Sequence, residues 1–209
     1  MSKNNSTKDL ILTHALKLFN ERGVEYVGVR EIAKDLNLRV GNITYYFPIK
    51  DDIVVAIANQ LAELNNRSIN PVEGLTMQGF LKMYKQIFEN HYLFSCLFIS
   101  FVQQMERNTK LEKSYMSTQQ KRYQTLKINL TELMENKFLK NTVTEEQLEY
   151  LVAALSLTAR FWLSESRIRF KGVAKNKIFK HYLTLISYHL APYTTQKGQK
   201  EIKAFILSL

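Results

Sequence analysis

The stretch "LRVGNITYYFPIKDD", residues 38–52, decides how the N-terminal region folds. Two adjacent aromatic residues, Tyr45 and Tyr46, follow the short residues Gly41 and Asn42. Successive residues on a helix point about 100° apart, so both rings cannot face one narrow core stripe. The stretch therefore predicts a short helix with one buried face and one face turned away from the core.

The sequence around this stretch predicts three further helices. A hydroxyl and an acid within Ser6–Asp9 signal a helix start, apolar residues follow at helical spacing, and Gly23 is placed to end the helix. A second helix is predicted over 29–36, and Asn37 can adopt the left-handed backbone that leaves it. Pro48 and two acidic residues begin a helix that continues to about residue 66. A tight turn between the second helix and the third, over 39–46, predicts a helix-turn-helix unit.

The outward face of the third helix suits the major groove of DNA. Short side chains let a helix approach base edges, and amide, hydroxyl and guanidinium groups can bond to bases or phosphates. Ile43 and Phe47, four residues apart, are predicted to anchor the inner face. The residues predicted to contact DNA are Arg30, Arg39, Val40, Gly41, Asn42, Thr44, Tyr45, Tyr46 and Lys50.

This region resembles the N-terminal DNA-binding domain of the TetR/AcrR family of transcriptional regulators. The resemblance covers roughly residues 8–57 and depends on the spacing of Ala15, Phe19, Gly23, "VREIA" (29–33), Gly41, Ile43, "YYF" (45–47), Lys50 and Ile53. It implies that the third helix enters the major groove and that Tyr46 and Lys50 contact phosphate. It also implies backbone contacts at Gly28, Val29 and Arg30. The chain departs from the family pattern at Gly28 and Arg39, where Ser or Thr is usual, and at Pro48, where Lys is common.

Composition favours an all-α fold for the whole chain. The 209 residues include only 3 Pro and 7 Gly, and no hairpin turn signal is present. The clearest break is "NPVEG" at 70–74. We expect a DNA-binding domain at 1–50, a linking helix at about 51–66, and a larger helical domain at 67–209. Helical patterns there lie near 76–89, 91–107, 109–138, 144–170 and 174–190, with a short terminal helix.

Positive charge is concentrated outside the predicted DNA-binding domain. Eight Lys and Arg residues balance eight Asp and Glu residues in 1–66, so the whole net charge of +10 lies in 67–209. A solvated basic face is the ordinary explanation for such an excess. The basic residues concerned include Arg160, Arg167, Arg169, Lys171, Lys175, Lys177 and Lys180.

The resemblance implies that the second domain binds an effector and forms a homodimer through its last two long helices. Helical spacing within 148–166 and 178–189 is consistent with those helices. Its aromatic residues form either an ordinary core or a pocket. Arg160, within an apolar stretch, suggests an anionic or amphipathic effector. The predicted pocket residues are Tyr84, Phe88, Phe98, Phe101, Met105, Tyr123, Arg160 and Trp162.

Several classes of protein are disfavoured by the sequence. A single cysteine, Cys96, excludes an internal disulfide framework and fits the cytoplasm. The N-terminus lacks an apolar signal segment, and the longest apolar run, 92–102, is far shorter than the roughly 20 residues of a membrane span. Metal-binding and catalytic motifs are missing, so no metal, cofactor or enzymatic activity is expected.

We therefore expect a cytoplasmic, homodimeric repressor that binds a palindromic operator in double-stranded DNA and is released by a small-molecule effector. Two-fold symmetry suits such an operator, since each recognition helix needs a half-site. An enzyme on a helical scaffold is disfavoured because no catalytic constellation is present. The alternative is a helix-turn-helix architectural or protein-interaction factor that has no small-molecule effector.

Overall fold

The computed structural model describes residues 3–69 and 73–209, with side chains from residue 7 onward. The described chain is built from helices, and the predicted all-α fold is confirmed. One isolated antiparallel bridge joins Leu139 to Thr194. The helices are α1 Lys3–Arg22, α2 Val29–Asp35, α3 Val40–Tyr46, α4 Lys50–Ile69, α5 Met77–Leu93, α6 Cys96–Ile99, α7 Phe101–Arg107, α8 Thr109–Glu135, α9 Glu145–Arg169, α10 Lys175–Leu190 and α11 Gln196–Leu207. A short 3₁₀ turn, Ala191–Tyr193, joins the last two.

Two predicted helix boundaries were wrong. Helix α1 begins at Lys3, so the predicted start signal within Ser6–Asp9 lies inside it. Extending a nucleated helix by one turn costs little, which allows the polar residues to join it. The segment 91–107 is divided into three helical pieces instead of one helix. Asn20 explains the first break, because its amide donates to the Leu93 carbonyl and its oxygen accepts the Cys96 N–H.

The chain packs as two compact units. The first unit contains the residues up to Glu63 together with Leu93–Ser117, and the second contains Leu64–Tyr92 together with Thr118–Leu209. Part of the predicted boundary at 70–74, residues 70–72, lies outside the described residues. The division into domains at 1–50, 51–66 and 67–209 stays a prediction.

Helices α9 and α10 pack on each other in the second unit. The residues whose spacing was predicted to support a dimer at 148–166 and 178–189 are mostly buried within the single chain. Leu148, Leu151, Leu155, Trp162, Ser166, Tyr182 and Ile186 are buried, whereas Ile178 and His189 are half-buried. Their helical spacing therefore indicates the core of a single chain and does not identify a dimer contact.

Candidate nucleic-acid interface

The inner face of α3 is fixed by two buried side chains. Ile43 is fully buried and Phe47 nearly so, which confirms the predicted anchoring. The turn before α3 uses Asn37 in the left-handed region at φ +53°, and the Leu38 N–H donates to the Ala33 carbonyl at 2.9 Å. Short polar side chains tolerate this backbone better than most others. These contacts hold α3 against α2.

The N-cap of α2 has no side-chain hydroxyl, but its backbone N–H has a hydrogen-bond partner. Gly28 is the N-cap, and its N–H donates to the Glu31 carboxylate at 2.6 Å. Arg22 donates to the other oxygen of Glu31 at 2.5 Å. The Gly28 N–H, and next the Arg22 guanidinium, lower the pKa of Glu31. Glu31 therefore supplies its own half of a capping box, and the half that a Ser or Thr side chain would supply is missing.

The outer face of α3 is open to solvent. Arg39, Gly41, Asn42 and Tyr45 are exposed, and the Tyr45 side chain reaches 77% exposure. Val40 is also partly exposed, while Thr44 and Tyr46 are half-buried. We call this set, Arg39–Asn42 with Thr44–Tyr46, the recognition surface. Its polar groups, and the small side chains of its first turn, suit a polar, concave partner.

The two adjacent tyrosines differ in burial and contact each other edge to face: Tyr45 is exposed and Tyr46 is half-buried. Their rings lie 5.0 Å apart and almost perpendicular, at 89°. A shallow groove beside them is lined by Gly41, Asn42, Tyr45 and Tyr46 of α3 and by Thr7 of α1. The sequence did not single out Thr7, since no local pattern shows that the start of α1 lies beside α3.

Gly41 has no structural role that the fold itself explains. A Cβ placed there would meet no atom within 4 Å, and its φ is not in the left-handed region. Alanine would be favoured over glycine in a helix by as much as about 1 kcal/mol. The fold would therefore accept a side chain at this position, and packing within the chain does not require glycine there.

Several predicted contact residues are engaged within the chain. The Lys50 ammonium donates to the Val24 carbonyl at 2.8 Å, and the Thr44 hydroxyl donates to the Val40 carbonyl at 3.3 Å. At the start of α2, Gly28 and Val29 are half-buried and Arg30 is exposed. Contact of these five residues with DNA stays a prediction.

The predicted pocket residues are divided between the two units. Phe98, Phe101 and Met105 belong to the first unit, where the Phe101 ring lies 5.1 Å from that of Tyr115. The other five belong to the second unit. They are the buried residues Tyr84, Phe88 and Trp162 and the half-buried residues Tyr123 and Arg160.

An aromatic cluster occupies the interior of the second unit. The Phe88 and Trp162 rings stack at 4.5 Å, and both lie edge-on to Phe179, at 6.4 and 5.4 Å. Tyr84 joins at 6.4 Å from Phe88, and burial raises its pKa. The buried hydroxyl of Tyr182 lies beside this cluster and has no hydrogen-bond partner among the described residues. A role of these rings in an effector pocket stays a prediction.

A buried polar network adjoins the aromatic cluster, and the sequence did not predict it. The Trp162 N–H donates to Nδ1 of His91 at 3.4 Å, and the Asn65 amide lies 3.2 Å from Nε2. Asn90 donates to the Asn65 oxygen at 2.9 Å. Burial, followed by the nearby charge of Arg122, lowers the pKa of His91 to about 3. The imidazole is therefore neutral at neutral pH.

In the part of the chain that the structure describes, membrane-spanning helices and clusters of metal ligands are absent, and the single thiol is buried. Within the described residues, no helix is both long and apolar enough to cross a bilayer. The same residues contain no group of three or more His, Cys, Asp or Glu side chains able to hold a metal. Cys96 is buried, and burial raises the pKa of its thiol to about 12, which makes it a poor nucleophile.

Comparison with known proteins places the chain among bacterial regulators. Residues 11–57 match the family model described as "Bacterial regulatory proteins, tetR family", and residues 57–202 match the model described as "TetR: Bacterial transcriptional repressor". A curated relative, the "Probable HTH-type transcriptional regulator YttP" of Bacillus subtilis (strain 168), is 40% identical over 58 residues. That match covers 28% of each chain, so the chain spans little more than a quarter of this relative.

Solved structures show the same fold at low identity. A TetR-family regulator from Marinobacter aquaeolei VT8 superposes with a TM-score of 0.87 at 16% identity, covering 100% of this chain and 98% of that one. A transcriptional regulator from Saccharomonospora viridis, determined in complex with choline, gives a TM-score of 0.70 at 17% identity, covering 88% and 97%. The second family match alone spans more than half of the chain, and the chain therefore belongs to the TetR family of bacterial transcriptional regulators, a family of non-enzymatic proteins.

Proposed function

We propose that this regulator is a ligand-responsive repressor that binds a palindromic operator as a homodimer and is released by a small-molecule effector. The observation that supports DNA binding best is the recognition surface, which combines a solvent-exposed polar face with anchors that are buried at Ile43 and Phe47. Rigid anchors matter because base contacts require a helix held at a fixed depth in the groove.

Within this surface we assign roles by chemistry. Gly41 lets the first turn of α3 approach the bases, and the exposed amide of Asn42 bonds to a base edge. Arg39 reaches a guanine or a phosphate, because its side chain is exposed and makes no cap hydrogen bond to the helix. Tyr45 and Tyr46 present hydroxyls to backbone phosphates, because neither side chain is buried. Phosphate contacts set the register, and base contacts set the sequence preference.

An apolar stripe, most of it exposed, supports the homodimer. On α9 the members Tyr150, Leu157, Phe161 and Ile168 are spaced seven, four and seven residues apart, which places them within about 40° on the helix surface. Leu185 and Tyr188 continue it on α10. We call these six residues the α9–α10 stripe. Leu157, Ile168 and Tyr188 are 57%, 85% and 70% exposed, which leaves apolar surface uncovered in a single chain.

A second copy of the chain is the proposed partner of this stripe. A self-complementary apolar face on two adjacent helices is suited to a two-fold contact, in which the same residues meet on both sides. Two pairs of helices would then form a four-helix interface, and two recognition surfaces would be available for two half-sites. This assignment replaces the buried residues of α9 and α10 from which the sequence had predicted the dimer.

The interior of the second unit is the proposed effector site. Support comes from the aromatic cluster around Phe88 and Trp162, the unpartnered Tyr182 hydroxyl, and the choline-bound relative. An anionic or amphipathic effector remains our hypothesis, because Arg160 is half-buried with its guanidinium 5.9 Å from the Phe161 ring. Effector binding would act by favouring a conformation that binds DNA weakly.

A gel-shift titration tests the DNA-binding part. The purified protein is mixed with the DNA upstream of its own gene, with and without compounds that raise its melting temperature. We expect a specific complex that such a compound dissolves. Failure to bind any palindrome, even at low salt, would refute the regulator. If only cationic or neutral compounds stabilise the protein, the anionic effector is refuted and the remainder of the proposal is unaffected.

Sedimentation equilibrium tests the dimer. Leu157→Lys places a charge in the middle of the α9–α10 stripe and should convert the dimer to monomer. Ile128→Lys is the matched control, because Ile128 is 52% exposed on α8 and lies outside the stripe. A wild-type protein that is monomeric, or an equal effect of the two substitutions, would contradict this interface.

A further inference from the structure

The turn between α9 and α10 contains an unusual concentration of positive charge. The segment "RIRFKGVAKNKIFK", residues 167–180, contains six Lys and Arg residues, and no Asp or Glu occurs from 166 to 200. Residues 171–177 are all exposed, and Gly172 turns the chain at φ +78°. We call residues 167–180 the basic turn. It projects into solvent from the second unit.

The cations of the basic turn fall into two groups. Arg169 lies 4.0 Å from Glu165 and 5.3 Å from the Phe170 ring, and Lys175 lies over the rings of Tyr92 and Phe179. These two side chains are held by the protein. The other four are exposed and have no side-chain partner among the described residues: Arg167, Lys171, Lys177 and Lys180.

The basic turn is anchored within the second unit. The Lys175 ammonium lies 4.6 Å from the ring centre of Tyr92, near the end of α5, and 5.0 Å from that of Phe179. The four exposed cations therefore stand on a turn that is held in place by contacts of its own unit.

We infer that the basic turn is a second DNA-contacting surface, which binds the phosphate backbone without regard to sequence. The N-terminal 66 residues have no net charge, so the net positive charge that attracts the protein to DNA lies in residues 67–209. Unpaired Lys and Arg side chains on an exposed turn supply it. This inference rests on the proposed function, since it assumes that duplex DNA is the ligand.

An anionic bilayer is the competing partner, because lipid surfaces also attract clusters of cations. Bilayer binding normally adds apolar side chains that enter the interface. Two large apolar residues of the basic turn are exposed: Val173, at 38%, and Ile168, at 85%, which already belongs to the α9–α10 stripe. Without it, the surface offers charge and little apolar area, which suits phosphates in water better than lipid.

Salt-dependent binding tests the inference. The triple variant Arg167→Gln, Lys171→Gln, Lys177→Gln is compared with a control of equal charge change, Lys82→Gln, Lys85→Gln, Lys200→Gln, whose lysines are also exposed. The ligand is a random-sequence duplex of about 40 base pairs, and the slope of log K against log salt should become shallower by about 0.9 for each phosphate that the variant no longer neutralises. The control should keep the wild-type slope. Unfolding followed by Trp162 fluorescence verifies that both variants are folded.

The possible results distinguish failure of the inference from failure of the proposed function. If wild-type protein binds the duplex but the triple variant keeps its slope and affinity, the inference is wrong and the proposed function stands. If wild-type protein binds no duplex at low salt, the proposed function and the inference both fail. If the triple variant loses binding to phosphatidylglycerol vesicles while its DNA slope is unchanged, the partner is a bilayer and the inference is overturned.

Discussion

The recognition surface and the aromatic cluster place opposite demands on their side chains. On α3, Tyr45 is largely exposed and Gly41 has open space around its Cα. In the second unit, Phe88 is fully buried and stacked on Trp162. The first region can change its side chains at little cost to folding, and the second cannot. We therefore expect DNA binding and stability to be separable by substitution at the recognition surface.

The largest effect is expected from Phe88→Ala. Removing a fully buried ring that packs against three other rings should lower the free energy of unfolding by about 3–5 kcal/mol. Urea unfolding, followed by the fluorescence of Trp162, the only tryptophan in the chain, measures this decrease. The matched substitution Tyr45→Ala should change stability by less than about 0.5 kcal/mol. Similar decreases for the two variants would remove the distinction between the regions.

A pair of identical glycine substitutions sharpens the comparison. A Cβ at Gly198, in α11, would lie 2.3 Å from the Phe138 carbonyl oxygen, whereas one at Gly41 meets nothing within 4 Å. Gly198→Ala should therefore cost about 1–3 kcal/mol through overpacking. Gly41→Ala should leave the free energy of unfolding unchanged or raise it by up to about 1 kcal/mol. Thermal unfolding measures both, and a stable Gly198→Ala variant would contradict this packing of α11.

The same Gly41→Ala variant should have a lower DNA affinity. If the glycine permits close approach to base edges, a methyl group there should weaken operator binding roughly tenfold, about 1.4 kcal/mol. Fluorescence anisotropy with a labelled operator measures the change. Unaltered affinity would show that α3 stays farther from the bases than we propose.

The smallest effect concerns pH and the buried network. The pKa of His91 falls from 6.5 to about 3 on folding, so below pH 6.5 the unfolded state binds a proton that the folded state does not. The contribution of His91 to the free energy of unfolding is complete above pH 6.5 and is lost as pH falls toward 3. Between pH 6.5 and 5.5 the decrease in stability should be about 1 kcal/mol.

The His91→Gln variant isolates this titration. Its stability should fall less steeply than that of the wild type between pH 6.5 and 5.5, whatever its absolute stability. Chemical denaturation at several pH values provides both slopes. Parallel slopes would mean that the imidazole is accessible to water in the folded protein.

Local features of the DNA-binding region were predictable from sequence because neighbouring residues determine them. The spacing of Ile43 and Phe47 predicted the buried face of α3, and Gly23 and Asn37 adopt positive φ angles of +90° and +53° where turns were expected. The break between α5 and α6 was not predictable. It depends on Asn20, which is 73 residues from the carbonyl that it contacts.

Helix α9 shows a second limit to what can be predicted from the sequence. Leu151 and Leu155 on one side, and Leu157 and Ile168 on the other, are all apolar and helically spaced. Periodicity alone cannot tell which side packs within the chain and which is left uncovered. The structure separates them by exposure, and that separation identifies the α9–α10 stripe. The buried network of His91 likewise joins residues from different helices and leaves no local signal.

Hydroxyl-radical footprinting of the DNA upstream of the gene tests the central claim most directly. We predict two protected half-sites related by two-fold symmetry, with centres about 34 Å apart or a multiple of that distance. Asn42→Ala should weaken protection in both half-sites equally, while Lys82→Gln should leave it intact. A single unsymmetrical footprint, or protection that does not depend on the recognition surface, would contradict a dimeric regulator that contacts DNA through α3.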